Sequence, residues 1–234
     1  VVPISRTRDT VGPMARSVDD LILLDNALTN ATTQVKPTPL KGLRLAVPRN
    51  HYYEQLDTEV ASVIDIALER LAEHGVVLVE ADIPGVETCN WEIARVISIY
   101  ESLPALKQYL MESGSKATLE TLIAEIVSPD VRNVIESRLC DNSVSEDDYR
   151  NAMEKRQAFQ TTYRKFFYDH DIAAAVFPTT RLPARRIGDD DTVEFMGKRV
   201  STTLAYAHNL VPATVLGSPG LSVPVGQTRS YLPV

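Results

Sequence analysis

The chain has 234 residues, 44% hydrophobic and 24% charged, an ordinary globular composition with enough apolar side chain for a sizeable core. Its 31 acidic and 24 basic residues leave a net charge of -7, which argues against a phosphate-tracking surface and so against nucleic acid as the main ligand. Two cysteines cannot build a disulfide framework, no apolar run approaches the ~18 residues of a membrane span, and no signal peptide is visible, so a reduced, cytoplasmic setting is expected, away from membranes.

The first fifteen residues read as a loop punctuated by Pro and Gly. Ser17 then caps a helix, with Asp19 and Asp20 in its first turn and Leu21, Leu24, Ala27 and Leu28 at helical spacing. Residues 31–39 form a loop. Residues 43–48 form a short strand stopped by Pro48. Asp57 caps a second helix with an apolar face of Val60, Ile64, Ala67, Leu68 and Leu71, closed by Gly75 and followed by a strand over 76–79. Strand, helix and strand within about forty residues make a βαβ unit with parallel strands. Both strands are apolar runs, as a sheet covered on two faces requires.

Residues 87–170 read as helical throughout, with breaks near Gly114, at Ser128-Pro129-Asp130 and near Asn142-Ser143. A helix of about twenty residues opens at Ser145 and ends near Phe167. This block is expected to be an insertion lying over the sheet. Residues 172–177 form a buried strand ending at a Pro-bounded loop, 192–200 a hairpin turning at Met196-Gly197, and 221–225 a last apolar strand. The fold expected is a mixed, largely parallel α/β sheet flanked by helices. Both termini fall in apolar, proline-bearing stretches, so the chain reads as one section of a longer polypeptide, its sheet incomplete at both ends.

No complete reacting constellation is evident. His51, His74, His170 and His208 lack metal-ligand spacing and read as solvated or helix-end residues; no metal is expected. Gly188-Asp189-Asp190-Asp191 reads as an exposed acidic turn. Neither a dinucleotide fingerprint nor a P-loop occurs, and no cofactor is expected. Ser113-Gly114-Ser115-Lys116 matches a serine–lysine spacing, but its glycine reads as a helix break. Cys89 and Cys140 remain open as thiol nucleophiles beside a buried, inert reading. Trp91 and Tyr100 read as core, with roofing a pocket as the alternative. Asp9, Arg16 and Asp19 read as local loop and helix-start partners.

The segment Val2-Pro3-Ile4-Ser5-Arg6-Thr7-Arg8-Asp9-Thr10-Val11-Gly12-Pro13-Met14-Ala15-Arg16-Ser17-Val18-Asp19-Asp20 closely resembles the stretch that follows the glycine/serine-rich signature in amidase signature family hydrolases. Phe177-Pro178-Thr179-Thr180, residues 217–226 and Leu232-Pro233-Val234 resemble the same family in the same order. Residues 126–132 and 187–190 look most like its indoleacetamide and mandelamide hydrolase branch. The resemblance implies amide hydrolysis through an acyl-enzyme by a Ser–cis-Ser–Lys triad, with backbone N–H groups holding the oxyanion. It places the triad upstream of this chain, so no residue here is assigned as catalytic. The implied partners are a small-molecule amide and the upstream section of the same enzyme; a homodimer is an additional option.

What this section is expected to contribute is the wall of an acyl pocket. Thr179 and Thr180 follow a buried strand end, where α/β sheets place ligand loops, although turn chemistry between prolines explains them equally well. Arg156 and Gln157 lie on the long helix, where an exposed salt-bridge face competes with substrate contact. Asn209 reads as polar lining or a helix C-cap. Thr214, Val215, Leu216, Gly217 and Ser218 precede the last strand. Many family members carry Asn near Thr214 or Val215, and its absence fits a more apolar pocket for an aryl or alkyl acyl group. Two other functions stay in view: the amidase subunit of a tRNA-dependent amidotransferase, and a non-catalytic binding module on the same scaffold.

Overall fold

The computed structural model describes residues 2–32, 34–139 and 144–234; Cys140 and the expected break at Asn142-Ser143 lie outside the described residues. Helix α1 (Val18–Thr29) starts where the Ser17 side chain accepts the Asp20 N–H, with Asp19 and Asp20 beside the positive end of the helix. None of its residues is buried, so the expected apolar face of Leu24 and Leu28 is open to solvent.

The βαβ unit is present. Strand β1 (Arg44–Ala46) leads through the distorted turn α2 (Arg49–Tyr52) to helix α3 (Thr58–Glu73) and strand β2 (Val77–Val79). The strands are parallel, from Arg44 opposite Val77 to Ala46 opposite Val79. Asp57 starts α3 by accepting the N–H groups of Glu59 and Val60 at 2.9 and 3.3 Å. Val60, Ile64 and Leu68 bury one α3 face against Val47. Gly75 ends the turn at φ 87°, and a Cβ there would sit 3.1 Å from the Lys41 backbone, so glycine is required twice over.

The helical run opens with a 3-10 turn (Val86–Thr88) and a π turn (Cys89–Ala94). It continues through α4 (Arg95–Glu112), α5 (Leu119–Ala124), α6 (Pro129–Leu139) and α7 (Glu146–His170). Gly114 breaks it at φ 67°, and Pro129 opens α6 as expected. In α7 the Ser145 and Asp148 side chains cap each other's backbone N–H, and the helix runs three residues past the expected Phe167 end. Ile97, Ala152, Phe159 and Phe166 from this run share one core with Ala46 and Ile172. Among the described residues no helix is long and apolar enough to cross a membrane.

Strand β3 (Ala174–Ala175) pairs parallel with β1, giving the order β2-β1-β3. It is shorter than expected because β1 itself spans three residues and can template no more; the flanking Ala173 and Val176 N–H groups bond the Arg44 and Ala46 carbonyls at its rims. Strands β4 (Thr192–Phe195) and β5 (Lys198–Ser201) form the expected hairpin. Met196 and Gly197 both have positive φ, the geometry that lets a two-residue turn follow the strand twist. Helices α8 (Thr202–Ala207) and α9 (Val211–Leu216) follow. The molecule is thus a mixed α/β fold with a parallel sheet flanked by helices.

The strand expected over 221–225 does not form. Pro224 supplies no N–H to a ladder, and Leu221 and Val223 are 62% and 49% exposed. The segment turns back on itself instead, with the Val225 N–H donating to the Val234 carbonyl at 2.8 Å and an isolated bridge between Gln227 and Pro233.

Candidate functional site

Because β1 and β3 run parallel, the loops that leave them, 47–53 and 176–182, emerge at one edge of the sheet. Ligand loops of α/β folds sit at this carboxyl edge. Thr179 and Thr180 are there. The Thr179 hydroxyl is exposed and lies 2.8 Å from the Ser222 hydroxyl, which joins this loop to the 217–225 segment. Thr180 donates to the Leu182 carbonyl at 2.9 Å. Asn209 is fully buried and reaches the same edge, its amide nitrogen 2.9 Å from the Tyr52 carbonyl and 2.7 Å from the Pro178 carbonyl. It is neither exposed lining nor a cap of α8.

The remaining candidates gather at the far end of α9. The last carbonyls of a helix lack internal partners. Here α7 supplies them: Arg156 Nε donates to the Val215 carbonyl at 2.7 Å and Gln160 Nε2 to the Leu216 carbonyl at 2.8 Å. Positions 156 and 160 share a helix face, so one stripe of α7 caps α9. Val215 and Leu216 are buried, Ser218 is half-buried, and Gly217 closes α9 at φ 66°. Arg156 Nη2 also donates to the Thr7 carbonyl at 2.8 Å. The expectation of Arg156 on an exposed salt-bridge face is therefore corrected: the side chain is buried and its hydrogen bonds end on carbonyls. Gln157 points away and is exposed. Thr214 accepts from Arg8 Nη2 at 2.6 Å and donates to the Val211 carbonyl at 2.9 Å, so its hydroxyl is engaged within the protein.

The N-terminal loop completes this end. Asp9 accepts the N–H groups of Ile4 and Ser5 at 2.7 and 3.0 Å, the local role expected of it. Arg8 Nη1 donates to the Ala94 carbonyl at 2.9 Å, at the close of the π turn. Glu101 of α4 is buried, and its carboxylate accepts from the Ser5 hydroxyl, the Thr7 hydroxyl and the Tyr149 hydroxyl at 2.6, 2.9 and 2.6 Å, and from the Thr7 N–H at 3.2 Å. Burial alone would raise its pKa; the bonds from Ser5, Tyr149 and Thr7 outweigh that and hold it below the usual carboxylate value.

Other candidates fall away. Cys89 is enclosed, and burial, with Glu87 nearby, pushes its thiol up to about 12, so it remains a protonated core side chain. Ser113 caps the end of α4 and bonds its own helix at the Leu110 carbonyl. Trp91 is 63% exposed rather than core, while Tyr100 stacks on Tyr149 at 4.2 Å. Two surface concavities, of about 370 and 310 Å3, lie beside Glu92 and Lys155 and beside Arg185 and Phe195. Neither is lined by the predicted site residues. Among the described residues no group of His, Cys, Asp and Glu is placed to hold a metal ion.

His208 closes α8, the helix-end place expected of it, whereas His51 differs from expectation in being buried. They stack at 4.1 Å and 17°, and each Nε2–H donates to the other's backbone carbonyl, at 3.3 and 3.2 Å. Burial, the His51 charge and Arg181 push His208 down to about 4. Burial, with Arg181, also lowers His51, against the His208 carbonyl, Glu54 and Glu87. Both rings are therefore neutral in the fold but protonate readily when unfolded. This stabilisation is complete above the ordinary histidine value of 6.5 and declines as pH falls towards the lowered values. A His208→Phe variant that keeps the stack should flatten the fall in unfolding free energy between about pH 7 and pH 4 by roughly 1 kcal/mol, a figure discounted for partial exposure. Denaturant titrations at several pH values measure it; parallel wild-type and variant curves would exclude the assignment.

Sequence reading missed Glu101, the histidine stack and the Arg8 contacts. Ile97, Glu101 and Ala105 are buried at a spacing of four along α4, so a lone acid inside an apolar stripe was the available signal.

A family model described as Amidase matches residues 1–234. The chain is 38% identical over 235 residues to an indoleacetamide hydrolase from Agrobacterium vitis, covering all of this chain and 50% of that protein. It is 29% identical to a mandelamide hydrolase from Pseudomonas putida, covering all of this chain and 47% of that protein. A crystal structure of an amidase superposes with TM-score 0.77 at 25% identity, over 99% of this chain and 48% of the other. The A subunit of the Thermotoga maritima glutamyl-tRNA(Gln) amidotransferase shares the fold at TM-score 0.62 and 17% identity, over 98% of this chain and 48% of that chain. The chain spans about half the length of the curated relatives it matches.

Proposed function

Because the chain belongs to the amidase family, we propose that it forms part of a hydrolase that converts a small aryl- or alkyl-carboxamide to a carboxylic acid and ammonia. In this reading it builds the acyl-binding wall. The reaction runs through an acyl-enzyme, and the Ser–cis-Ser–Lys triad and oxyanion donors come from polypeptide that precedes Val1. The enzyme works in the cytoplasm. The observation that carries the substrate class is the 38% identity to an indoleacetamide hydrolase along the whole chain. The helical run 87–170 acts as an inserted cover over the sheet within a partial domain spanning 1–234.

The proposed wall has two parts. Thr179 and Thr180 offer hydroxyls at the carboxyl edge of the sheet, with Asn209 behind them. Residues 214–218, held by Arg156, form the apolar side, and Gln157 is at its margin. The Thr214 hydroxyl is engaged within the protein and Val215 and Leu216 are apolar, which suits an aryl or alkyl acyl chain. Likeness to the amidotransferase subunit, at 17% identity, speaks to fold alone.

The test is ammonia release from indole-3-acetamide, phenylacetamide and a short alkyl amide by the whole enzyme. Turnover of arylacetamides is expected, and none from any of the three would overturn the reading. Thr179→Val and Leu216→Trp should each change the ratio of kcat/KM between two acyl groups by about ten-fold while unfolding stays near wild type for Thr179→Val. An unchanged ratio would remove that position from the wall.

A further inference from the structure

Three stretches of chain are tied together at the residues that lead into Thr179. Asn209, between α8 and α9, donates one amide hydrogen to the Tyr52 carbonyl and the other to the Pro178 carbonyl. The neighbouring His208 stacks on His51, and each ring Nε2–H donates to the other's backbone carbonyl. Tyr52 stacks in turn on Phe177 at 4.1 Å. The arrangement is costly. His51 is held at φ 70° and ψ -56°, a region that side-chain-bearing residues rarely enter. Asn209 Oδ1 is buried without a hydrogen-bond partner among the described residues. Most buried polar atoms are satisfied, so an orphaned acceptor on a side chain whose two donors are both engaged calls for a reason. Asn209 spends one acceptor to place two donors, and both hold loops that leave the carboxyl edge of the sheet.

We propose that Asn209 is a positioning residue for the Thr179–Thr180 loop. It holds the Pro178 carbonyl, the peptide group next to Thr179, and so sets the direction in which the Thr179 hydroxyl is offered to the acyl group. The His51–His208 stack keeps Tyr52, the other acceptor, in place. The inference rests on the reading that Thr179 faces substrate.

A double-mutant cycle in the whole enzyme tests it. Asn209→Asp keeps size and shape but replaces both donors with an acceptor facing two carbonyls. It is made alone and with Thr179→Val, and kcat/KM is measured on an arylacetamide and a short alkyl amide beside thermal unfolding. The expected result is a change of about five-fold or more in the ratio between the two amides for Asn209→Asp, with the double variant changing it no further than the larger single change. A residue that only supports the fold would lower the unfolding temperature and leave the ratio within about two-fold, which overturns the proposal. Additive effects also overturn it, because Asn209 would then not act through Thr179. If Thr179→Val leaves the ratio unchanged, the placement of Thr179 fails first and the positioning role goes with it. If Thr179→Val shifts the ratio and Asn209→Asp does not, the positioning role alone fails. Asn209→Ser, which keeps one donor, is read in the same way should the aspartate variant not fold. Failure of both to fold assigns residue 209 to stability and overturns the proposal.

Discussion

Replacing Glu101 with alanine is expected to cost about 3 kcal/mol of unfolding free energy and to release the N-terminal loop from α4. The carboxylate takes hydrogen bonds from three hydroxyls and one N–H, contributed by Ser5, Thr7 and Tyr149. Removing it leaves four donors facing one another in a largely buried site. Each bond to a charged acceptor contributes roughly 1.5–3 kcal/mol before losses from non-additivity and readmitted water. Tyr149→Phe should cost about 1 kcal/mol, because it deletes one donor and leaves three. The pH dependence separates charge from packing. The folded carboxyl titrates below the ordinary glutamate value of 4.5, so its contribution is full above that value and is lost as pH falls through the folded one. Glu101→Gln should remove that acid-limb slope while wild type retains it. Hydrogen exchange would localise the loss, with faster exchange over residues 4–9 and unchanged exchange in α3. A Glu101→Ala protein as stable as wild type would show that the loop is held by other contacts.

The parts of this fold that could be read from sequence are those where one local rule decides. Ser17, Asp57, Ser145 and Gly75 each satisfy backbone groups or a φ requirement within a few residues, and the helix ends follow them. The hairpin at Met196-Gly197 is equally local. The last strand failed because its apolar run, 221–225, gave no information about partners, and Pro224 within it removed a donor a partner would need. The α1 face failed for a related reason. Helical periodicity predicts an apolar stripe but not what covers it, and α1 buries none of its residues. At the candidate site, the helices and loops that carry the residues were legible and their partners were not. Arg156 lies in a buried stripe with Ala152 and Phe159, although its charge reads from sequence as an exposed salt-bridge face. Its partners, the Val215 and Thr7 carbonyls, are 59 and 149 residues away and leave no trace in any local window. Asn209 is the same case, since both its acceptors are backbone groups, which side-chain identity does not report.

Arg156 therefore carries the second large expected effect. Arg156→Ala should cost about 3 kcal/mol and should loosen α7, α9 and the N-terminal loop together, because one guanidinium holds all three. The loss has two sources: two charge-assisted bonds disappear, and the Val215 carbonyl at the end of α9 is left buried without a donor. Lysine is a poor substitute. Its single ammonium cannot reproduce the fork that reaches Val215 with Nε and Thr7 with Nη2, so Arg156→Lys should recover less than half of the loss. Gln160→Ala removes the neighbouring bond to Leu216 and should cost about 1 kcal/mol. Since both side chains cap the same short helix, the two losses should not add; the double variant is expected to differ from the sum by about 0.5–1 kcal/mol. Denaturant unfolding of the four proteins measures this directly. If Arg156→Lys matches wild type, a point charge near the end of α9 is sufficient and the forked geometry is not what holds residues 214–218 in place.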